Sequence, residues 1–159
     1  MRDRSFRRLS LPVLSVFLLV VAACGSHGLA PKSRSLPLEI RPARTAAFPG
    51  GIAVRLARTG ETFYLTPEVL VTDADLREAA VGLPSQGHGY GVVLRFSDEA
   101  GTRLTAFTAR AAGGQRLAVL LDHELVMAPS AGALRSRDVV LEAGFSEAEA
   151  RYLVGALAR

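Results

Sequence analysis

The sequence of 159 residues has no tryptophan, two methionines and a single cysteine. One cysteine excludes an intramolecular disulfide, so no disulfide framework holds this chain. Seven phenylalanines and three tyrosines are the only large rings, and we therefore expect a core of leucine, valine, alanine and isoleucine. Apolar residues (49%) and charged residues (21%) occur at proportions typical of globular proteins. These proportions predict one ordinary folded domain.

The chain also lacks a long apolar run and a real excess of positive charge. Its longest apolar run, from Leu11 to Ala23, is shorter than the roughly 20 residues that a membrane-spanning helix needs. The net charge of +4 arises mainly from four arginines ahead of Cys24, and the 15 basic and 14 acidic residues that remain nearly cancel. Binding to nucleic acid requires a basic surface that neutralises phosphates. We therefore expect no nucleic-acid partner.

The N-terminal segment has the order of a secretory signal. Arginines occupy its start, an apolar run follows, and the small residues Ala22 and Ala23 precede Cys24. Val21-Ala22-Ala23-Cys24 resembles the lipobox of bacterial lipoproteins, in which the cysteine is acylated and the chain is cut just before it. The alternative, a lone buried cysteine behind an ordinary signal peptide, leaves the odd cysteine of an exported chain unexplained. We predict a lipoprotein signal peptide at residues 1–23, cleavage between Ala23 and Cys24, and lipidation of Cys24.

The segment after the cleavage point predicts a tether. Residues 24–37 comprise the lipidated cysteine and a stretch rich in glycine, serine and proline, which is typical of a flexible spacer. Two or more acyl chains anchor a protein stably to a membrane. Gly25 follows the cysteine instead of the aspartate of an inner-membrane retention signal, which favours the outer membrane over the inner one. Residues 38–159 then form the domain.

Local patterns in this domain predict both strands and helices. Period-two alternation and short apolar runs predict strands at residues 52–56, 63–65, 92–96, 116–121, 124–128 and 139–141. Helix-start signals predict helices at about residues 72–82, 97–111 and 146–157. Asp122 and His123 separate two apolar runs and are predicted to form a structural turn. Hairpins mixed with one-sided helices predict an α+β fold, with an antiparallel sheet and helices packed on one face.

The order of three motifs resembles a known family. An apolar strand leads to Asp122, a return strand ends at Ala128-Pro129, and the sequence Phe-Ser-Glu-Ala-Glu-Ala opens a helix at residues 145–150. Together they are similar to the head subdomain of the first periplasmic domain of the SecD/SecDF protein-export subunits, from about Phe63 to Ala158. The resemblance implies the head fold and contact with polypeptides or with an export complex in the membrane.

Two departures from that family bear on what the resemblance implies. The family usually turns on Asp-Gly, whereas this chain has His123 after Asp122; histidine tolerates positive φ better than most residues. The family also carries its head on a base subdomain and on transmembrane helices with the charged residues of proton-driven export. The sequence has no counterpart of these parts. The resemblance therefore does not imply a proton-driven motor.

The remaining reactive side chains do not form a recognisable catalytic or metal site. His27, His88 and His123 include no pair at the i, i+4 spacing of a helical metal site. The glycine-rich loop at residues 87–91 precedes a strand, whereas a phosphate loop precedes a helix. Asp122 and His123 are adjacent in a tight turn and no serine is tied to them, so we read them as a turn and not as a catalytic pair. We expect no enzyme activity, cofactor, metal or small-molecule substrate.

These observations leave two functional hypotheses. The first is a lipid-anchored, non-enzymatic envelope protein that faces the periplasm and binds polypeptide or an export or membrane complex. The alternative is a structural or assembly lipoprotein with one fixed protein partner and no role in export. An open sheet leaves strand edges that pair with extended peptides, which supports the first hypothesis. The apolar hairpin at residues 116–128 is either such a surface or, as is usual for apolar strands, part of the core.

Replacing the cysteine tests the lipoprotein prediction. We expect Cys24→Ser to leave the chain unacylated and uncleaved at Ala23, because the thiol is the group that receives the lipid. Mass spectrometry of the membrane fraction measures both properties. An acylated, membrane-bound Cys24→Ser protein would overturn the prediction.

Overall fold

The computed structural model describes residues 36–83, 89–111, 113–133 and 137–158, and within these ranges it contains nine strands and two helices. The predicted signal peptide, Ala23, Cys24 and the spacer up to residue 35 lie outside the described residues. In chain order the elements are β1 (Leu38–Arg44), β2 (Ile52–Arg55), β3 (Thr62–Leu65), β4 (Val71–Thr72), β5 (Leu76–Gly82), β6 (Tyr90–Phe96), α1 (Asp98–Arg110), β7 (Arg116–Leu121), β8 (Glu124–Met127), β9 (Asp138–Phe145) and α2 (Glu147–Leu157).

The strands form two antiparallel sheets. The first sheet has the order β2-β3-β1-β7-β8, with β4 also paired to β1, and the second has the order β5-β6-β9. The ends of the first sheet approach each other, because the Ala57 amide donates to the Leu125 carbonyl at 3.1 Å and Leu56 forms a parallel bridge with Leu125. The predicted α+β class with antiparallel strands is confirmed, and the predicted strands are all present.

The local patterns do not predict β1, although this strand lies at the centre of the first sheet. Pro42 argues against a central strand because proline has no amide hydrogen to donate to a ladder. The Pro42 carbonyl accepts a hydrogen bond from the Thr66 amide at 2.9 Å, where the partner on that edge changes from β3 to β4. The N–H and C=O of a residue in an antiparallel strand point to the same edge, so the missing donor also faces this break. Pairing with β7 on the other edge is continuous from Leu38 to Ala43.

Strand β7 is buried on both faces and joins two hydrophobic cores. The larger core is shared by both sheets and both helices, and the smaller one lies on the other face of the first sheet. From β7, the larger core receives Leu117, Val119 and Leu121, and the smaller one receives Ala118 and Leu120. A strand buried on both faces requires a continuous apolar run, which this segment provides. The hairpin at residues 116–128 is therefore core and not a free binding surface.

The predicted helix at residues 72–82 is wrong. The start signal operates, since the Thr72 amide donates to Asp75 Oδ2 at 3.0 Å, but it opens only a single 3-10 turn at Asp73–Asp75. Leu76–Gly82 then pairs with β6 as strand β5. A β-bulge between Leu76 and Glu78 inserts one extra residue, so that Leu76 and Ala79 both pack against the larger core. Their i, i+3 spacing is that of residues on one face of a helix, and the local pattern therefore predicts a helix where a bulged strand forms.

The other two predicted helices are present and begin at the predicted caps. The Ser97 hydroxyl accepts from the Ala100 amide at 3.2 Å and starts α1. The Ser146 hydroxyl accepts from the Glu149 amide at 3.2 Å, and the Glu149 carboxylate accepts from the Ser146 amide at 2.7 Å. The bond from the Ser146 amide, together with one that the Ser146 hydroxyl donates to Glu149 Oε2 at 2.8 Å, lowers the pKa of Glu149 below its usual value. Local capping chemistry therefore fixes where both helices start.

Asp75 connects the 3-10 turn to α1. Its carboxylate accepts from the Thr72 amide and forms an ion pair with Arg103 at 2.7 Å, while the Arg103 Nε donates to the Leu70 carbonyl at 2.8 Å. Burial by itself raises the pKa of Asp75, but the hydrogen bonds from Arg103 and Thr72 outweigh it and leave the pKa below its usual value. The ionised carboxylate therefore stabilises the fold.

A pair of glycine substitutions tests the packing of α1. A Cβ at Gly101 would lie 2.8 Å from the Arg137 Cβ, whereas a Cβ at Gly155 of α2 would meet nothing within 4 Å. We expect Gly155→Ala to raise the free energy of unfolding by about 0.5–1 kcal/mol. Gly101→Ala should lower it by about 1 kcal/mol or more, because overpacking outweighs the helix preference of alanine. Urea unfolding measures both, and an equal gain for the two variants would contradict the close approach.

The Asp75 carboxylate predicts a fall in stability on acidification. Because its pKa is lowered in the folded state, its contribution is complete above the unfolded-state value of about 3.9 and is lost as the pH falls through the folded-state value. We expect Asp75→Asn to lower the free energy of unfolding at pH 7 by on the order of 1 kcal/mol and to flatten its decline in acid. Asp73→Asn, an exposed change in the same turn, is the control. Identical pH profiles for wild type and Asp75→Asn would contradict this role.

Candidate functional site

The structure places Asp122 and His123 in the two-residue turn between β7 and β8. Their φ angles are +48° and +68°, which is the left-handed conformation that a tight turn of this kind requires at both positions. The Asp122 amide donates to the Pro37 carbonyl at 2.9 Å, which attaches the turn to the chain just before β1. The turn thus explains the positive φ angles of both residues.

The other sequence-based candidates lie outside the part of the chain that the structure describes. His27 and His88 lie outside the described residues, as do Ala23 and Cys24. Across the described ranges, no three histidine, cysteine, aspartate or glutamate side chains gather closely enough to hold a metal ion. In the same ranges we find no helix with the length and apolar character needed to cross a membrane.

An open strand edge is the first feature of a candidate binding site. Strand β5 pairs with β6 along one edge, and no strand among the described residues pairs with its other edge. In a strand of seven residues, alternate backbone N–H and C=O groups face that open edge. Such groups form hydrogen bonds with any extended chain that aligns with them.

A cleft lies between β5 and the end of α2. Residues 76–79 of β5 form one wall, Leu157 and Ala158 form the other, and the volume of the open cleft is about 290 Å³. Leu157 also packs into the larger core, which holds this wall in place. We call this feature the β5 cleft. It places an apolar helix end beside backbone groups able to pair.

Exposed apolar side chains lie at the C-terminal end of β5 and just after it. Val81 is 37% exposed and Leu83, which follows the strand, is 91% exposed. On the outer face of the second sheet, the ladder aligns Ala80 with Val93 and Val93 with Val140, and Val140 is 41% exposed. The second sheet therefore presents both an open edge and an apolar face.

Charged side chains surround the other end of β5. Arg95 lies between two carboxylates, with nitrogen–oxygen distances of 3.0 Å to Glu78 and 3.0 Å to Asp138. The hydrogen bond to Asp138 and the charges of both carboxylates raise the pKa of Arg95. Arg77 lies between Leu76 and Glu78, is exposed, and lines the β5 cleft. The sequence patterns do not predict this site because they assign β5 to a helix, in which the backbone groups pair with one another and leave no open strand edge.

The comparisons with known proteins agree with the fold. The family model of the SecDF P1 head subdomain matches residues 52–158. A structure of a membrane component SecDF that enhances protein export is 23% identical with a TM-score of 0.58, and the match covers 79% of this chain and 63% of that one. A crystal structure of SecDF in a super-membrane-facing form is 24% identical with a TM-score of 0.55, and the match covers 79% of this chain and 19% of that one.

The match places this chain within a known family while leaving much of the larger proteins unmatched. The chain spans less than two thirds of the first of these SecDF structures. No protein of curated function shows significant similarity to it. The family model covers most of the chain and confirms the resemblance predicted from the motifs. The protein therefore belongs to the SecDF P1 head subdomain family.

Proposed function

We propose that the protein is a lipid-anchored, non-enzymatic protein of the cell envelope that faces the periplasm and binds polypeptides during protein export. The lipobox ending at Cys24 supports the anchor, and Gly25 favours the outer membrane. Membership of the SecDF P1 head family supports the link to export, since one similar structure is of a component that enhances protein export. Such binding forms and breaks no covalent bond, so it requires no catalytic residue, metal or cofactor.

The open edge of β5 beside the β5 cleft is the observation that carries this proposal. Backbone pairing depends little on side chains, so an open edge accepts extended chains of many sequences. The cleft adds an apolar wall at Leu157 for one face of the bound segment. An unfolded chain exposes the backbone groups that this pairing requires.

The outer face of the second sheet favours a second candidate function. The row formed by Ala80, Val93 and Val140 faces away from the core and is partly exposed. An apolar face of this kind suits one complementary protein surface better than a series of unfolded chains. Under this alternative, the protein is a structural or assembly lipoprotein with a single fixed partner.

Two valines of the same sheet separate these candidates. The probe is a fluorescein-labelled nine-residue peptide of alternating valine and serine, and its affinity for the purified full chain is measured by fluorescence anisotropy. We expect Val81→Lys, on β5, to weaken binding at least about fivefold, because a charged edge disfavours pairing with an apolar strand. Val93→Lys introduces the same charge on the outer face of the central strand β6, away from both edges of the sheet, and should leave the affinity unchanged.

A modified peptide tests the backbone pairing itself. N-methylation removes the amide donor of a residue without changing its side chain. One peptide is N-methylated at its odd-numbered residues and a second at its even-numbered residues. Alternate amides face opposite edges of a strand, so we expect one of the two peptides to bind at least about fivefold more weakly. Unchanged affinity of both peptides would rule out strand pairing. No binding of the unmodified peptide at millimolar concentration would overturn the proposed function and leave the fixed-partner candidate.

A further inference from the structure

The arginines near the β5 cleft differ in whether they have an acidic partner. Arg95 has Glu78 and Asp138, Arg103 has Asp75 at 2.7 Å, and Arg137 has Asp98 at 2.6 Å. Arg77 lines a surface depression with Arg95 and Arg137, beside Asp98 and Glu99. It forms no ion pair or side-chain hydrogen bond with any residue that the structure describes. Its charge contributes to lowering the pKa of Asp75, whose carboxylate is already bound by Arg103 and Thr72.

Arg77 lies at the β5 cleft. It occupies the β-bulge, where two residues of β5 lie opposite one of β6, and it lines the β5 cleft together with Leu157 and Ala158. Bulges change the direction of a side chain relative to the regular alternation of a strand. Arg77 is thus an exposed, positively charged residue of the strand whose outer edge has no partner among the described residues.

Glu78, the other charged residue that lines the cleft, has a partner, whereas Arg77 has none among the described residues. Glu78 also lines the cleft, but its carboxylate is paired with Arg95 at 3.0 Å. The last turn of α2 has no basic residue, and its terminal carbonyls, of which that of Ala156 accepts from the Leu36 amide at 3.5 Å, carry at most about half a negative charge. That partial charge is smaller than the unit charge of Arg77 and lies on the opposite wall. The side of the cleft formed by β5 therefore favours an acidic group.

We propose that the β5 cleft selects extended polypeptide segments that place an acidic side chain opposite Arg77 and apolar side chains toward Leu76, Ala79 and Leu157. This inference rests on the proposed polypeptide binding and defines the class of segment that binds. Guanidinium and carboxylate groups form paired hydrogen bonds of matching geometry, so the acidic residue also sets the register of the segment on β5. Selection by one exposed ion pair amounts to about a two- to fivefold difference in affinity.

Three matched peptides and two variants of the full chain test the selection. The peptides alternate valine and serine over nine residues and carry glutamate, glutamine or lysine at the centre. We expect the glutamate peptide to bind wild type about two- to fivefold more tightly than the glutamine peptide, and the lysine peptide to bind most weakly. Arg77→Gln should abolish this order and Arg77→Glu should reverse it. Because the pair is exposed, 1 M salt should also remove the order in wild type.

A control variant distinguishes a general effect of net charge from a specific effect of Arg77. Arg55→Glu makes the same charge change at an exposed arginine of β2, in the first sheet, and should leave the order of the peptides unchanged. Thermal unfolding establishes that each variant is folded. If Arg55→Glu reverses the order as Arg77→Glu does, the preference reflects net charge and the inference is wrong.

The remaining outcomes separate this inference from the proposed function. If all three peptides bind wild type equally, Arg77 selects nothing, whereas polypeptide binding stands. If none binds at millimolar concentration, the proposed function fails together with the inference. If the full chain is a dimer that Arg77→Glu dissociates, the occupant of the cleft is a second copy and the inference is overturned.

Discussion

Burial of β7 on both faces is the constraint on which the rest of the fold depends. Successive residues of β7 enter different cores, Leu117 and Val119 on one side and Ala118 and Leu120 on the other. A shift of one residue would exchange the two sets, so the register with β1 and β8 is fixed. That register places Leu125 against Leu56 and brings the ends of the first sheet together. Most of the apolar surface of the first sheet is thereby used for stability.

The second sheet has three strands and retains surface that the fold does not use. Its inner face, with Leu94 and Leu141, packs into the larger core, while its outer face and the β5 edge remain open among the described residues. Strand β5 is held by pairing with β6 and by the ion pairs of Glu78 and Asp75 with neighbouring arginines. The first sheet thus serves as the scaffold and the second as the candidate binding surface. Rigid elements, not loops, position the cleft.

Features set by neighbouring residues could be predicted from the sequence, and those set by distant partners could not. The caps at Ser97 and Ser146 and the turn at Asp122 depend on residues within three or four positions. Strand β1 was obscured by Pro42, whose missing donor is tolerated only because the ladder breaks there. Strand β5 was obscured by a bulge that gives Leu76 and Ala79 helical spacing. The cleft joins residues about 80 positions apart, and the lack of a partner for Arg77 is a property of the folded chain alone.

An open edge would ordinarily expose a protein to uncontrolled pairing, and charged residues on the edge are a common protection. Arg77 and Glu78 both lie on β5, but Arg95 binds Glu78 and Asp138, whereas Arg77 has no direct partner among the described residues. An apolar strand that pairs here must strip water from Arg77 without compensation, which costs free energy. A segment with a suitably placed carboxylate compensates this charge and pairs more favourably. The same side chain thus protects the edge against apolar strands and admits acidic ones.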